Sequence, residues 1–232
     1  LAAACQGLVG FGFGLLSIPV LALFLEIKGA IIIAVALTFL HYLLITGRDH
    51  KNLKFKNTLL LLVGCLAGML MGVWIFVNID QTSLKFIAGA TIAASGLLLL
   101  FGWFPRLGQA GHVKIMVGIL GGVLQTMAGM GGPPFVIYLA SQNLHPEEFR
   151  SIIITLFLVI SGGTFFILSF TGVASHSLMI QGALMLPSLI VGHQVGLKLV
   201  RVVSSRNFRL IVHLLIVGSG LSLIVDALRH FL

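Results

Sequence analysis

The sequence predicts an all-α polytopic membrane protein made of two inverted-topology repeats. Each repeat opens on a glycine- and proline-broken helix, re-entrant or split, followed by three transmembrane helices. Three observations carry that expectation. Hydrophobic residues fill 58% of the 232 positions and charged residues only 9%, against roughly a quarter charged in soluble domains. Too few charges exist to coat a water-facing surface. Two apolar stretches are interrupted by glycine at matching places. Finally, the basic residues sit in short gaps between apolar runs, where flanking positive charge fixes orientation in a bilayer.

Eight apolar stretches stand out, at about 2–25, 30–46, 58–78, 84–104, 113–140, 151–170, 177–197 and 208–231. Most are near the roughly 20 residues a helix needs to cross a membrane. The joining loops are too short for a second domain, so 1–232 is expected to form one transmembrane transporter domain. The first and fifth stretches differ in kind. One carries Gly10-Phe11-Gly12-Phe13-Gly14 with Pro19, the other Gly129-Met130-Gly131-Gly132-Pro133-Pro134. Glycine widens backbone freedom and proline lacks an N–H, so such runs break helices.

The two runs look like copies. At an offset of 119, Gln6 falls on Gln125, Gly10 on Gly129 and Gly12 on Gly131. Farther on the offset becomes 124, and Gly68, Gly72 and Ser95-Gly96 fall on Gly192, Gly196 and Ser219-Gly220. The repeats therefore span about 1–104 and 113–232. Broken helices at matching places in two halves point to a transporter's binding site.

Charge decides how the halves are oriented. If all eight stretches cross once, the 14 Lys and Arg divide evenly, 7 to each side. If each Gly-rich stretch returns to its starting side, one side holds 11 and the other only Lys28, Lys85 and Arg229. The second arrangement obeys the positive-inside rule. Equivalent loops agree: 47–57 is basic and 171–177 is not, whereas 198–209 is basic and its counterpart around Asp80 to Lys85 is nearly neutral. Bias that swaps between homologous loops means inverted repeats. Non-helical backbone at membrane depth is tolerated only where protein or a water-filled cavity covers it, so the Gly loops should meet near the midplane.

A broken helix presents an N-terminus with unpaired N–H groups and a partial positive charge. Glycines let an anion approach that backbone, and no side-chain cation is required. Gly10, Gly12 and Gly14 with Gly129, Gly131, Gly132 and Pro133 are the candidate binding loops, and Gln6 and Gln125 add amide donors just before each. Close packing of helices through glycine in lipid is the simpler account of any single such motif; its duplication favours a site.

The glycine–proline loop, its repetition, and the following Pro146-Glu147-Glu148-Phe149-Arg150-Ser151 resemble the TauE/SafE family of sulfite exporters and organosulfonate permeases. The run Gly192-x-x-x-Gly196, Arg201, Phe208-Arg209 and Gly218-x-Gly220 is similar as well. This resemblance covers essentially the whole chain. It implies a multi-pass protein of the bacterial inner membrane that moves small sulfur-containing or carboxylate anions. Phe13 inside the first loop and Pro133 closing the second depart from the commoner glycine-triple pattern.

Ionisable residues at depth are further candidates. His41 lies in an uninterrupted apolar stretch, where an ionisable group is functional by default; a neutral imidazole bonded to a backbone carbonyl is the ordinary alternative. His193 and His213 lie near basic loops and are expected to serve packing. Arg150 could meet an arriving anion through its guanidinium, although balancing Glu147 and Glu148 explains it too. Cys5 and Cys65 sit in apolar stretches, so no disulfide is expected. Asp226 and Arg229, three apart, are expected to form a local ion pair.

No Asp or Glu lies within the apolar runs away from their ends. A pump built on buried carboxylates is therefore not expected. A monovalent anion leaving a negative interior gains roughly 2.3 kcal/mol per 100 mV, so export could run on voltage alone. The expected function is a secondary transporter for sulfite, sulfoacetate or another oxyanion, exporting by alternating access around the paired loops. Uptake of a sulfur-containing or carboxylate anion, or an anion channel, are the alternatives. The net charge of +8 serves topology, so no nucleic acid is expected. Neither paired catalytic carboxylates nor a zinc-protease spacing occurs, so the chain is not expected to be an enzyme or to use a cofactor or metal. The expected partners are a small-molecule anion, the lipid bilayer and a second copy in a homodimer. No cleavable signal peptide is visible, and residues are expected to precede Leu1.

Overall fold

A computed structural model describes residues 2–3, 6, 11–49, 55–102, 107–142, 144–199 and 205–231. Gly10 and Cys5 lie outside the described residues. The described part is all-helical: α1 (Phe13–Leu21), α2 (Ile27–Asp49), α3 (Phe55–Asn78), α4 (Gln81–Phe101), α5 (Gly111–Ala128), α6 (Gly132–Ala140), α7 (Pro146–Phe170), α8 (His176–Leu184), α9 (Leu186–Leu199) and α10 (Ser205–Phe231). Six stretches among these residues are long and apolar enough to span a bilayer, and the chain is a multi-pass membrane protein.

Two seams of small residues hold the helices together. In lipid no hydrophobic drive separates helix from solvent, so close backbone approach supplies the packing. On α3 and α5, Gly64, Gly68, Gly118 and Gly122 each face backbone of the opposing helix so closely that a β-carbon would collide with it. Between α4 and α10, Gly89 and Gly220 meet backbone to backbone in the same way, and Gly96 makes room for the side chains of Ile216 and Val217. The outward faces carry exposed Leu66, Leu70, Trp74, Phe101 and Phe170, as a lipid-facing surface requires.

The fifth apolar stretch does not run through. It breaks after α5 at Gly129, whose φ of 67° lies in the left-handed region, and restarts as α6, nine residues long. The Phe135 ring of α6 packs back onto Gly121 of α5, filling the space a β-carbon would occupy. Past α6, Gln142 Nε2 donates to the Leu107 carbonyl at 3.0 Å. The chain before α5 and the chain after α6 therefore lie side by side. The first stretch also breaks, at Gly12 with φ of 101°, and α1 restarts after it.

The structure refines one expectation and corrects another. The stretch over 177–197, which supplies one of the six candidate spans, is interrupted at Met185 between α8 and α9; Pro187 lacks the N–H that would bond Ala183, which kinks the stretch there. The second concerns Asp226. Asp80 caps α4 by accepting from the Ser83 N–H at 2.8 Å, and Lys85 one turn later donates to Asp226 of α10 at 2.5 Å. Asp226 thus takes a partner across the α4–α10 seam, where the sequence suggested Arg229 on its own helix.

That ion pair belongs to one end of the helix bundle. Gln81 Nε2 donates to Glu26 Oε2 at 2.9 Å, and Lys28 Nζ donates to the Val77 carbonyl at 3.2 Å. Leu178, at the start of α8, touches Gly29. Lys28, Lys85 and the last turns of α10 thus share one end. Leu60 near the start of α3 touches Gly111 at the start of α5, which places those starts together at another.

Candidate functional site

The two loops meet. A β-carbon on Gly14 would overlap the Gly129 carbonyl, one on Gly129 would lie 2.7 Å from Ile18 Cδ1, and one on Gly132 would lie 3.1 Å from the Phe11 ring. Each contact joins the first loop or α1 to the second loop, and the approach needs glycine on both sides.

A small cavity of about 20 Å³ lies at this junction, walled by Gln6, Gly12 to Leu15, Thr38, Tyr42, Gln125, Gly129, Gly132 and three phenylalanines, Phe11, Phe13 and Phe157. Tyr42 and Phe157 stack at 5.4 Å, stiffening one wall. Gln6 and Gln125 are each 1% exposed, and the amide nitrogen of each is buried without a partner at full hydrogen-bond length, the Tyr42 side chain standing near the Gln6 amide. A buried unpaired donor costs about 1–3 kcal/mol. Two such donors stand at equivalent positions around one cavity.

The amide oxygens of the two glutamines do different work. Gln125 Oε1 accepts from the Gly131 N–H at 3.0 Å and so ties its own loop. Because that partner can only donate, the oxygen must face it and the nitrogen must face away. Gln6 Oε1 lies 3.0 Å from His41 Nδ1, and His41 Nε2 lies 2.8 Å from His193 Nδ1. His41 is fully buried and His193 is 8% exposed, and their rings meet edge to face at 4.8 Å.

The helix ends contribute unequally. The cap of α1, Gly12, makes no side-chain bond to the first turn, whose Phe13, Gly14 and Leu15 line the cavity. In α6, Pro133 and Pro134 have no N–H and Gly131 gives its own to Gln125. The second half therefore offers fewer main-chain donors than the first, a difference from the symmetric cradle that the repeat suggested.

Gly12, Gly14, Gln6, Gln125, Gly129 and Gly132 are gathered at the cavity. Gly131 is buried beside Gln125, and Pro133, half-buried, follows in α6. His41 joins the site through Gln6. Arg150 does not: it is exposed in the first turn of α7, with Glu147 and Glu148 in the same turn. His193, expected from the sequence to serve packing, belongs to this constellation. Its position 152 residues from His41 hid the contact, and only its intramembrane ionisable character could have marked it. Among the described residues no group of three His, Cys, Asp or Glu could hold a metal.

The family model described as Sulfite exporter TauE/SafE matches residues 1–223, and the chain belongs to that family. A relative from Cupriavidus necator, named "Probable sulfite/organosulfonate exporter TauE", is 25% identical over 170 residues, covering 72% of this chain. The matched stretch spans 66% of that relative's own length. No solved structure matches the chain.

Proposed function

We propose that this member of the sulfite exporter TauE/SafE family carries a small oxyanion, sulfite, sulfoacetate or another organosulfonate, out across the cell inner membrane. The observation that carries the reading is the pair of unpartnered amide nitrogens, Gln6 Nε2 and Gln125 Nε2, in one cavity. An oxyanion accepts from both at once, together with the first-turn N–H groups of α1.

Alternating access by inverted repeats is supported by how the chain is tied together. The hydrogen bond from Gln142 to the Leu107 carbonyl supports an α5–α6 segment that returns to its starting side. Lys28 and Lys85 share an end with Asp226, in keeping with the 11-to-3 division of basic charge. Ala3 against Gly192 corresponds to Gly122 against the Cys65–Met69 backbone around Gly68 under the offsets that relate the halves. The narrowness of the cavity, about 20 Å³, fits a carrier whose walls must move better than a permanently open channel. The chemistry is binding and release, with no enzymatic step.

Thermal shift against sulfite, sulfoacetate, thiosulfate, taurine and oxalate tests the reading. A ligand that binds the folded state raises apparent stability as ln(1 + [L]/Kd). Stabilisation by a sulfur oxyanion that is lost in the Gln6→Ala/Gln125→Ala double variant supports it. Stabilisation unchanged in that variant would refute the paired-amide site.

A further inference from the structure

Gln6, His41 and His193 form a hydrogen-bonded chain from the cavity wall to the α9 helix. The chemistry of its three members is linked. Each neutral imidazole carries one ring proton, and a contact between two ring nitrogens needs a proton on one of them. If His41 holds its proton on Nδ1, it donates to Gln6 Oε1 and accepts at Nε2 from His193 Nδ1–H. Gln6 then turns its NH2 into the cavity. If His41 holds its proton on Nε2, it donates to His193, and its bare Nδ1 faces Gln6. The amide must then flip, and its carbonyl lone pairs face the cavity and repel an anion. A third state adds a proton at His193 Nε2. His193 is then the imidazolium and donates from Nδ1 to His41 Nε2, while neutral His41 still donates from Nδ1 to Gln6 Oε1. The Gln6 NH2 stays on the cavity, and the pair carries one positive charge.

We propose that the His41–His193 pair is a proton-binding site through which one proton accompanies each anion, so that transport is proton-coupled and not driven by voltage alone. This rests on the anion site proposed above. A negative charge at membrane depth is costly unless a positive charge comes with it. The acidic residues lie at helix ends and loops, and the imidazole pair is a basic group hydrogen-bonded to a cavity donor among the described residues. The Phe13 ring also meets the His41 ring edge-on at 6.4 Å, and Tyr42, whose side chain meets Gln6, lines the cavity. No covalent bond changes. The proton moves from water onto an imidazole lone pair on binding and returns to water on release. The device belongs to one half of the molecule: Met69 occupies the position of His193 at the offset of 124, and Gln125 is tied to Gly131 instead.

Linkage makes the effect measurable. If an anion raises the affinity for a proton, the proton raises affinity for the anion by the same factor. Methanesulfonate is a suitable probe because its charge is fixed across the histidine range; sulfite serves as the second anion. Binding to the purified full chain is followed by calorimetry near pH 6 and near pH 8, in buffers of different ionisation heat. We expect uptake of about half to one proton per anion and affinity falling about tenfold or more over that span. His193→Gln keeps a hydrogen-bonding group but cannot hold the charge, and should bind with little proton uptake and a flat pH profile. Anion binding by the wild-type chain without proton uptake would overturn the coupling and leave the anion site standing. Failure of both anions to bind at either pH would overturn the site reading itself, and the coupling with it. The wild-type measurement decides the matter even if the variant does not fold.

Discussion

Gly14 of α1 lies directly against Gly129 of the second loop, so close that a β-carbon on Gly14 would overlap the Gly129 carbonyl oxygen. The two halves of the chain touch where neither has a side chain. Gly14→Ala should therefore part the loops, costing about 1–3 kcal/mol and abolishing anion-dependent thermal stabilisation. Gly218 in α10 has nothing within 4 Å of its β-carbon position, and Gly218→Ala should hold or raise stability by up to about 1 kcal/mol. Melting curves of the two variants in one detergent check both.

The glutamines should separate by what their oxygens do. Gln6→Ala and Gln125→Ala each remove one cavity donor, and each should weaken anion binding about tenfold, or about 1.4 kcal/mol. Gln125→Ala orphans the fixed Gly131 N–H and should lower stability without ligand by about 1–3 kcal/mol. Gln6→Ala removes the partner of His41 Nδ1, a smaller loss because His41 can shift its ring proton to Nε2 and donate to His193. Calorimetric affinity and ligand-free melting, measured on both variants, distinguish the two effects.

The Lys85–Asp226 pair sits partly in the open, with side chains 20% and 46% exposed. Screening by solvent limits it to about 0.5–1 kcal/mol. Asp226→Asn should lose that amount at low salt and less at high salt. Equal loss at both ionic strengths would mean that packing, not charge, holds the seam.

Asp80 lies outside the spanning segments, and acceptance from the Ser83 N–H, chiefly, holds its carboxyl below the ordinary 3.8. A depressed folded-state pKa contributes stability that is complete above the ordinary value and lost as pH falls through the folded one. Asp80→Asn retains a capping acceptor without the charge. The stability advantage of the wild-type chain over Asp80→Asn should therefore be present at neutral pH and shrink as pH drops below 3.8, read as the difference in melting temperature across an acid series.

Much of this was legible in residue order. The apolar runs had to be helices, because lipid offers nothing to bond a bare peptide group. Gly12 and Gly129 marked the breaks, and the offset of 119 paired Gln6 with Gln125 before any coordinates. The kink at Pro187 was available to the same logic and was hidden by the unbroken hydropathy around it. Arg150 could not be placed from its neighbours, since a basic residue at a helix start looks the same beside a site or away from it.

Residue order alone thus determined the solvent, the helices, the duplicated kinks and the residues beside them, because each follows from local chemistry and near neighbours. Only the folded arrangement decided that Gly14 rests on Gly129, that the Gln6 and Gln125 nitrogens go unmatched in one cavity, and that His193 reaches His41. Those contacts join segments far apart in the chain. Helix crossing at glycine seams sets their geometry, and no local pattern encodes where two helices cross.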